Sequence, residues 1–185
     1  GYESDWGTNY AGHFMIEAEK TGFSLPGDMK KRWIRYQQEE ARNWSSSSNN
    51  YVHSRGKEAH QLIQAYRLYV LALSANAELG AMNRLREEVG LSSGAKWRLA
   101  AAYKLIGQTE VANQLVSKLS TAVSDYKELS YTYGSGLRDK AMMLEVTSLL
   151  NLKTKSDVLA KEISTRLSSE DWLSTQETAY SLLGI

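Results

Sequence analysis

The chain contains no cysteine, so it can form no disulfide, thiolate nucleophile or cysteine metal site. Proline occurs once, at Pro26, which leaves nearly the whole length free to run as uninterrupted helix. Charge of one sign is also lacking. The formal net charge is +1, with acidic and basic residues mixed along the chain, and that balance argues against an electrostatic binder of nucleic acid or of a membrane surface. No apolar run approaches the roughly 18 residues of a membrane span. No signal-peptide pattern is visible from Gly1 onward, which leaves export open. Neither a Walker lysine nor a Gly-x-Gly-x-x-Gly follows Gly134-Ser135-Gly136, so this is no phosphate loop. A Gly-x-Ser-x-Gly nucleophile elbow is absent too.

What remains is 185 residues, 42% hydrophobic and 23% charged. That is enough for one domain, residues 1–185, with a sizeable core. Apolar residues recur at helical spacing almost throughout and predict an all-α fold. The first helix is expected over 8–21 and the second from Asp28 to near Trp44. The third runs over 57–74 and the fourth over 78–89. Ser92 or Ser93 caps a fifth and Thr109 a sixth. Residues 122–133 form the longest non-periodic connection, with 45–50 a second, polar one. The central helix follows Gly136. Its apolar residues, Leu137, Ala141, Met142, Met143, Leu144, Val146, Leu149 and Leu150, cover most of its circumference, as in a helix buried on all sides. Thr154 opens an eighth helix with Val158, Ile163 and Leu167 toward a core. Ser174 and Glu177 have the spacing of a capping box that starts a ninth.

Apolar helices alternate with shorter, more polar ones. Segments beginning at Leu71, Leu105 and Leu149 form a weak internal repeat, the pattern of stacked αα-hairpins. The Trp/Gly/Tyr/Pro pattern of a tetratricopeptide array is not met.

Candidates for chemistry are few. His53 and His60 are seven residues apart and His13 stands alone; without a further ligand they are read as ordinary surface or capped histidines, not a metal site. Glu145 and Glu17 are carboxylates in apolar helical settings. Facing one cleft they would suit a glycosidase, but a buried Glu paired with an arginine is the commoner arrangement. Arg67, Arg84, Arg86 and Arg98 are the available partners. Trp33, Trp44, Trp97, Trp172, Tyr66 and Tyr69 sit at helical spacing and read as core packing. The best site candidate is the pair Tyr131 and Tyr133, on the loop entering the central helix.

Three stretches together, residues 5–19, 131–145 and 172–183, resemble the thioester domain of the α2-macroglobulin family, particularly its bacterial members. Segments 78–86 and 95–103 resemble it as well. The resemblance implies an α/α toroid, here partial, of paired inner and outer helices, within a large protease-trapping protein that is periplasmic or attached to the cell envelope. It implies an endopeptidase-inhibitor module that is not an enzyme and carries no cofactor, metal or catalytic residue of its own. Its partners would be other domains of the parent chain and the proteases that the parent traps, with no nucleic acid and no membrane contact by this domain. Thioester-bearing members carry a Cys-x-Glu-Gln motif on an early helix, which this chain lacks. The family's acyl-transfer histidine precedes the corresponding inner helix, where this chain has Tyr131 and Tyr133; these are its surface counterpart at most. The alternatives are a free-standing helical-repeat binding scaffold and a toroid carbohydrate-active enzyme. An incomplete ring would also leave Tyr10, Phe14 and Ile16 uncovered at one end, and Ala179, Tyr180, Leu182 and Leu183 at the other.

Overall fold

A computed structural model describes residues 4–46 and 54–185. The described residues form nine helices: α1 (Asp5–Lys20), α2 (Met29–Asn43), α3 (Ser54–Leu73), α4 (Leu79–Arg86), α5 (Ser93–Leu105), α6 (Thr109–Val116), α7 (Gly136–Leu149), α8 (Lys153–Leu167) and α9 (Thr175–Gly184). The only pairing of extended backbone among them is a single antiparallel bridge between Lys127 and Ser135.

Odd-numbered helices pack on one another in the order α1, α3, α5, α7, α9. They run parallel: Trp6 and His13 of α1 contact Tyr66 and Tyr69 of α3, and Arg98 of α5 reaches Glu145 of α7. Gln176 and Tyr180 of α9 return to Trp6 and Tyr10 of α1. Side chains thus close a circuit of five inner helices. The even-numbered helices pair with the inner ones from outside: Lys30 of α2 meets Glu19 of α1, and Lys140 of α7 meets Glu162 of α8, so α2 and α8 run antiparallel to the inner helices that precede them, the inner-and-outer pairing that the resemblance implies.

Two local devices repeat around this circuit. The inner helices start on serines: Ser4, Ser92, Ser135 and Ser174 each accept a backbone N–H of the first turn of α1, α5, α7 and α9. At Ser174 the Glu177 carboxylate completes the expected capping box. The outer helices α2, α4, α6 and α8 have no side-chain cap bond. The inner helices α1, α3, α5 and α7 instead each end in a tight turn, which leads directly toward α4, α6 and α8 and, through residues 23–28, toward α2. Gly22, Ala75, Gly107 and Asn151 take positive φ there. The next residue in each case (Phe23, Asn76, Gln108, Leu152) donates its N–H back to Ala18, Leu71, Tyr103 or Thr147 respectively. That six-to-one bond is the Schellman stop. The internal repeat read from the sequence is therefore a repeat of the same turn. The sixth helix departs from expectation, because Thr109 does not cap it; Gln108 precedes it without a cap bond, and the Thr109 hydroxyl accepts from Lys104.

The core lies between the inner helices. Tyr66, Leu68, Val70 and Leu71 of α3 are fully buried, as are Leu99 to Tyr103 of α5 and Val146 of α7. The central helix is buried nearly all round, as its composition predicts. Where α1 meets α2, Gly12 lets Trp33 lie on the helix backbone, since a Cβ there would come within 2.0 Å of the indole. Trp33 then donates to the Thr8 carbonyl. Two residues read as core are exposed. Val158 faces outward on α8, whose core side is held by Leu159 and Ile163. Trp172 is 76% exposed, because it precedes the Ser174 cap and so stands outside the helix. His53 lies outside the described residues.

Candidate functional site: the loop before the central helix

The connection from α6 to α7 tightens at its end into a hairpin-like loop. Glu128 N–H donates to the Gly134 carbonyl at 2.8 Å, closing the loop across the Lys127–Ser135 bridge. Inside it, the Glu128 carboxylate accepts from the backbone N–H groups of Ser130, Tyr131 and Thr132 and from the hydroxyls of Ser130 and Thr132. Burial alone would raise this carboxyl; the backbone donors outweigh it and hold its pKa down to about 2. Arg138, fully buried on α7, grips the loop from below through the Thr132 carbonyl at 3.1 Å and the Thr132 hydroxyl at 3.2 Å. Its Nε donates to Asp139, and its guanidinium lies 4.6 Å from the centre of the Trp6 ring. The Tyr126 hydroxyl donates to the other Asp139 oxygen at 2.6 Å. Gly134 fits between these groups only because it has no Cβ, which would stand 2.5 Å from Arg138 and 2.6 Å from Tyr126.

Held from both sides, the loop displays Tyr131 and Tyr133, 45% and 50% exposed. The two do not meet. Tyr131 lines a cleft of about 590 Å³ at the N-terminal ends of α3, α5 and α7, with Glu58, Asp125, Glu128 and Asp139 on its walls and no cationic side chain among the residues lining it. Tyr133 lines a groove of about 370 Å³ against the start of α9, with Leu129 and Trp172. The Lys127 ammonium sits 5.7 Å from the centre of the Trp172 ring there. One expected site is thus two surfaces, which share Glu128 in their walls. The sequence reading missed Glu128 and Arg138. A signal existed in the hydroxyls at Ser130 and Thr132, two and four residues after the carboxylate.

The other candidates gather at the centre of the circuit. Glu145 accepts from Arg98 Nη1 at 2.6 Å and from the Tyr69 hydroxyl. Burial would raise its pKa, but Arg98, His13 and the Tyr69 bond together hold it below the ordinary value. The Arg98 guanidinium lies 4.4 Å from the centre of the Tyr69 ring, a cation–π contact that adds to the ion pair. His13 Nδ1 shares a hydrogen bond of 3.0 Å with the Tyr66 hydroxyl. Burial pushes the imidazole below its usual pKa, so it is neutral at neutral pH. Glu17 is the more exposed carboxylate and pairs with Lys20 at 2.8 Å. A glycosidase pair needs one free acid and one free base. Glu145 is already bound to a fixed cation, so this cluster reads as a structural hub. Among the other arginines, Arg67 pairs with Asp5, and Arg84 donates to the carbonyls that end α2. Arg86 lies over the Tyr103 ring. His60 stacks on Trp44. No three His, Asp or Glu side chains converge as metal ligands among the described residues.

The class of protein so defined is an all-α ring of paired helices with a charged hub and a displayed loop. No family model matches the chain, and no curated protein matches its sequence. Solved structures do match, and over its whole length. Native α2-macroglobulin of Escherichia coli superposes with a TM-score of 0.82 at 26% identity. The Salmonella α2-macroglobulin reacted with methylamine gives 0.81, and the trypsin-activated E. coli protein 0.79, both also at 26% identity. All of this chain is covered in each case, and it spans only 12%, 12% and 13% of those chains. The chain thus has the fold of a region of the bacterial α2-macroglobulins, as the resemblance of its sequence implies.

Proposed function

We propose that residues 1–185 form a structural and interaction module of a bacterial α2-macroglobulin-like protein that traps proteases, and that the module itself catalyses nothing. The observation carrying this reading is the whole-chain likeness to α2-macroglobulins, one of them solved after activation by trypsin. The module corresponds to the thioester-type domain, an α/α toroid. It contributes no thioester sulfur, since it has no cysteine. A parent protein of the periplasm or cell envelope would be cleaved by a protease at a bait segment elsewhere and collapse around it. On this reading the Tyr131–Tyr133 loop would be the surface counterpart of the family's acyl-transfer position and would face other domains of the parent.

The test uses the parent protein. Incubated with trypsin, it should be cut at a restricted segment and retain the protease. The retained protease should still cleave a small chromogenic peptide but lose activity on a large protein substrate. Undiminished digestion of the large substrate would sink the reading.

A further inference from the structure

The hydroxyls at the centre of the circuit do not balance. His13 is buried on α1, with Nδ1 3.0 Å from the Tyr66 hydroxyl of α3 and Nε2 3.8 Å from the Glu17 carboxylate. An N–H facing a carboxylate is favourable and a lone pair is not, so the neutral imidazole carries its proton on Nε2. Nδ1 is then an acceptor. Burial pushes the Tyr66 phenol well above its ordinary range, so the hydroxyl keeps its proton and donates it to Nδ1. A hydroxyl has one proton to give. Tyr180 of α9 is buried against Tyr66, with ring centres 6.1 Å apart, and the two hydroxyls lie near enough to act on each other. Yet the Tyr180 hydroxyl has no hydrogen-bond partner. Buried polar groups are nearly always paired, so this orphan needs a reason.

We propose that the Tyr66 hydroxyl is a two-position switch thrown by His13: it donates to the neutral imidazole and turns to Tyr180 once Nδ1 takes up a proton. In the acid form Nδ1–H donates to the Tyr66 oxygen, which frees the Tyr66 proton. Tyr180 is the acceptor held ready for it. Only the hydroxyl hydrogen has to rotate. Acid thereby adds a bond between α3 and α9, at the seam where α9 closes the circuit. The other groups acting on the imidazole are Glu17 and Lys20 of its own helix, Tyr69 of α3, Arg98 of α5 and Glu145 of α7. The two carboxylates favour the added charge, while burial, Arg98 and Lys20 oppose it. Arg98 and Tyr69 already engage Glu145, and Lys20 engages Glu17. Those bonds do not depend on the state of His13, and they leave Tyr180 as the unpaired partner.

Tyr180→Phe removes the one oxygen at issue and keeps the ring. Proton binding by His13 is read from its imidazole resonance in NMR titrations of the 185-residue chain, assigned by its loss in His13→Asn. Tyr180→Phe should weaken that binding about threefold to tenfold, since the acid form loses one hydrogen bond. Tyr10→Phe, whose ring packs on Tyr180 at the same seam, should leave it unchanged. Thermal melts give a second reading. At about pH 7.5 Tyr180→Phe should melt at or above the temperature of the unsubstituted chain, because it deletes an unpaired hydroxyl. The difference should turn against the variant as the pH falls toward about 5. Unchanged or tighter proton binding in Tyr180→Phe overturns the proposal. So does a melting difference that is constant with pH, or an imidazole that stays neutral until the chain unfolds.

Discussion

Glu145 shows how one residue binds four helices. Sitting on α7, it takes bonds from Tyr69 of α3 and Arg98 of α5, and its charge acts on His13 of α1. Glu145→Ala leaves the Arg98 cation buried without its counter-charge. Breaking one side of such a pair costs about 3 kcal/mol or more. Equilibrium denaturation should show that loss; an unchanged midpoint would mean that Arg98 is solvated. His13 adds a pH dependence whose sign follows from its environment. Burial lowers its pKa first, and Arg98 and Lys20 act in the same direction, against Glu145 and Glu17. The folded state therefore binds the proton less tightly than the unfolded chain, whose imidazole titrates near the ordinary value of 6.5. Stability is complete above that value and falls as pH drops through it toward the folded pKa. Unfolding free energies measured from about pH 7.5 to about pH 5.5 should decline, and the slope should flatten in His13→Asn. A slope unchanged in the variant would assign the acid sensitivity to another group. The sequence placed Glu145 in an apolar helix and offered Arg98 among four possible partners. It could not choose between them, because the pairing crosses from α5 to α7 and depends on how the ring closes.

Helices were legible where periodicity or a cap marks them, and less so where tertiary position decides. Ser92 and Ser174 act as the spacing predicts, since a cap is a local bond within one turn. Thr109 fails as a cap because the chain enters α6 straight from the Gly107 turn, which fixes its own backbone bonds. Trp172 and Val158 carry helical spacing yet face solvent, since spacing names a face of a helix and not what covers it. The αα turn has a direct test. Gly107 and Ala75 occupy equivalent positive-φ positions at the ends of α5 and α3. An L-residue pays roughly 1–2 kcal/mol for that conformation, partly offset by the flexibility that a glycine loses on folding. Ala75→Gly should therefore stabilise the chain and Gly107→Ala destabilise it, each by about 1 kcal/mol. Opposite shifts of the chemical denaturation midpoint are expected. Shifts of the same sign would mean that the two turns do not share one geometry. Across these elements the candidate loop was only half legible. Its tyrosines stood out in the sequence, but the carboxylate that shapes the loop lies three residues before the first of them and acts through backbone N–H groups.

At the scale of the whole molecule, the open question is the seam between α1 and α9. An incomplete ring predicts uncovered apolar side chains on both helices, and the fold answers in part. Ile16 and Tyr180 are buried, and Tyr180 reaches the rings of Trp6, Tyr10 and Tyr66. Trp6 also donates to Gln176 at 3.0 Å. The two ends therefore meet through side chains at the level of Tyr10 and Tyr180. One helical turn further on, Phe14 and Leu183 remain exposed, and so does the adjacent Leu182. Covering each such side chain would be worth roughly 1.5–3 kcal/mol. Two copies meeting through Phe14 and Leu183 would cover four, or roughly 6–12 kcal/mol in all. Association costs about 4–15 kcal/mol in lost translational and rotational freedom, so the balance is close to zero. Self-association of this chain should accordingly be weak, reversible and confined to high concentration. Sedimentation velocity over a wide concentration range should show a rising weight-average coefficient. The double variant Phe14→Ser/Leu183→Ser should abolish the rise and leave the melting temperature nearly unchanged, because neither residue belongs to the buried core. Tyr180→Ala should do the reverse and lower the melting temperature sharply, since removing a buried aromatic ring costs about 3–5 kcal/mol. A dimer that persists in the Phe14/Leu183 variant would place self-association elsewhere and leave the seam closed by Tyr180 alone.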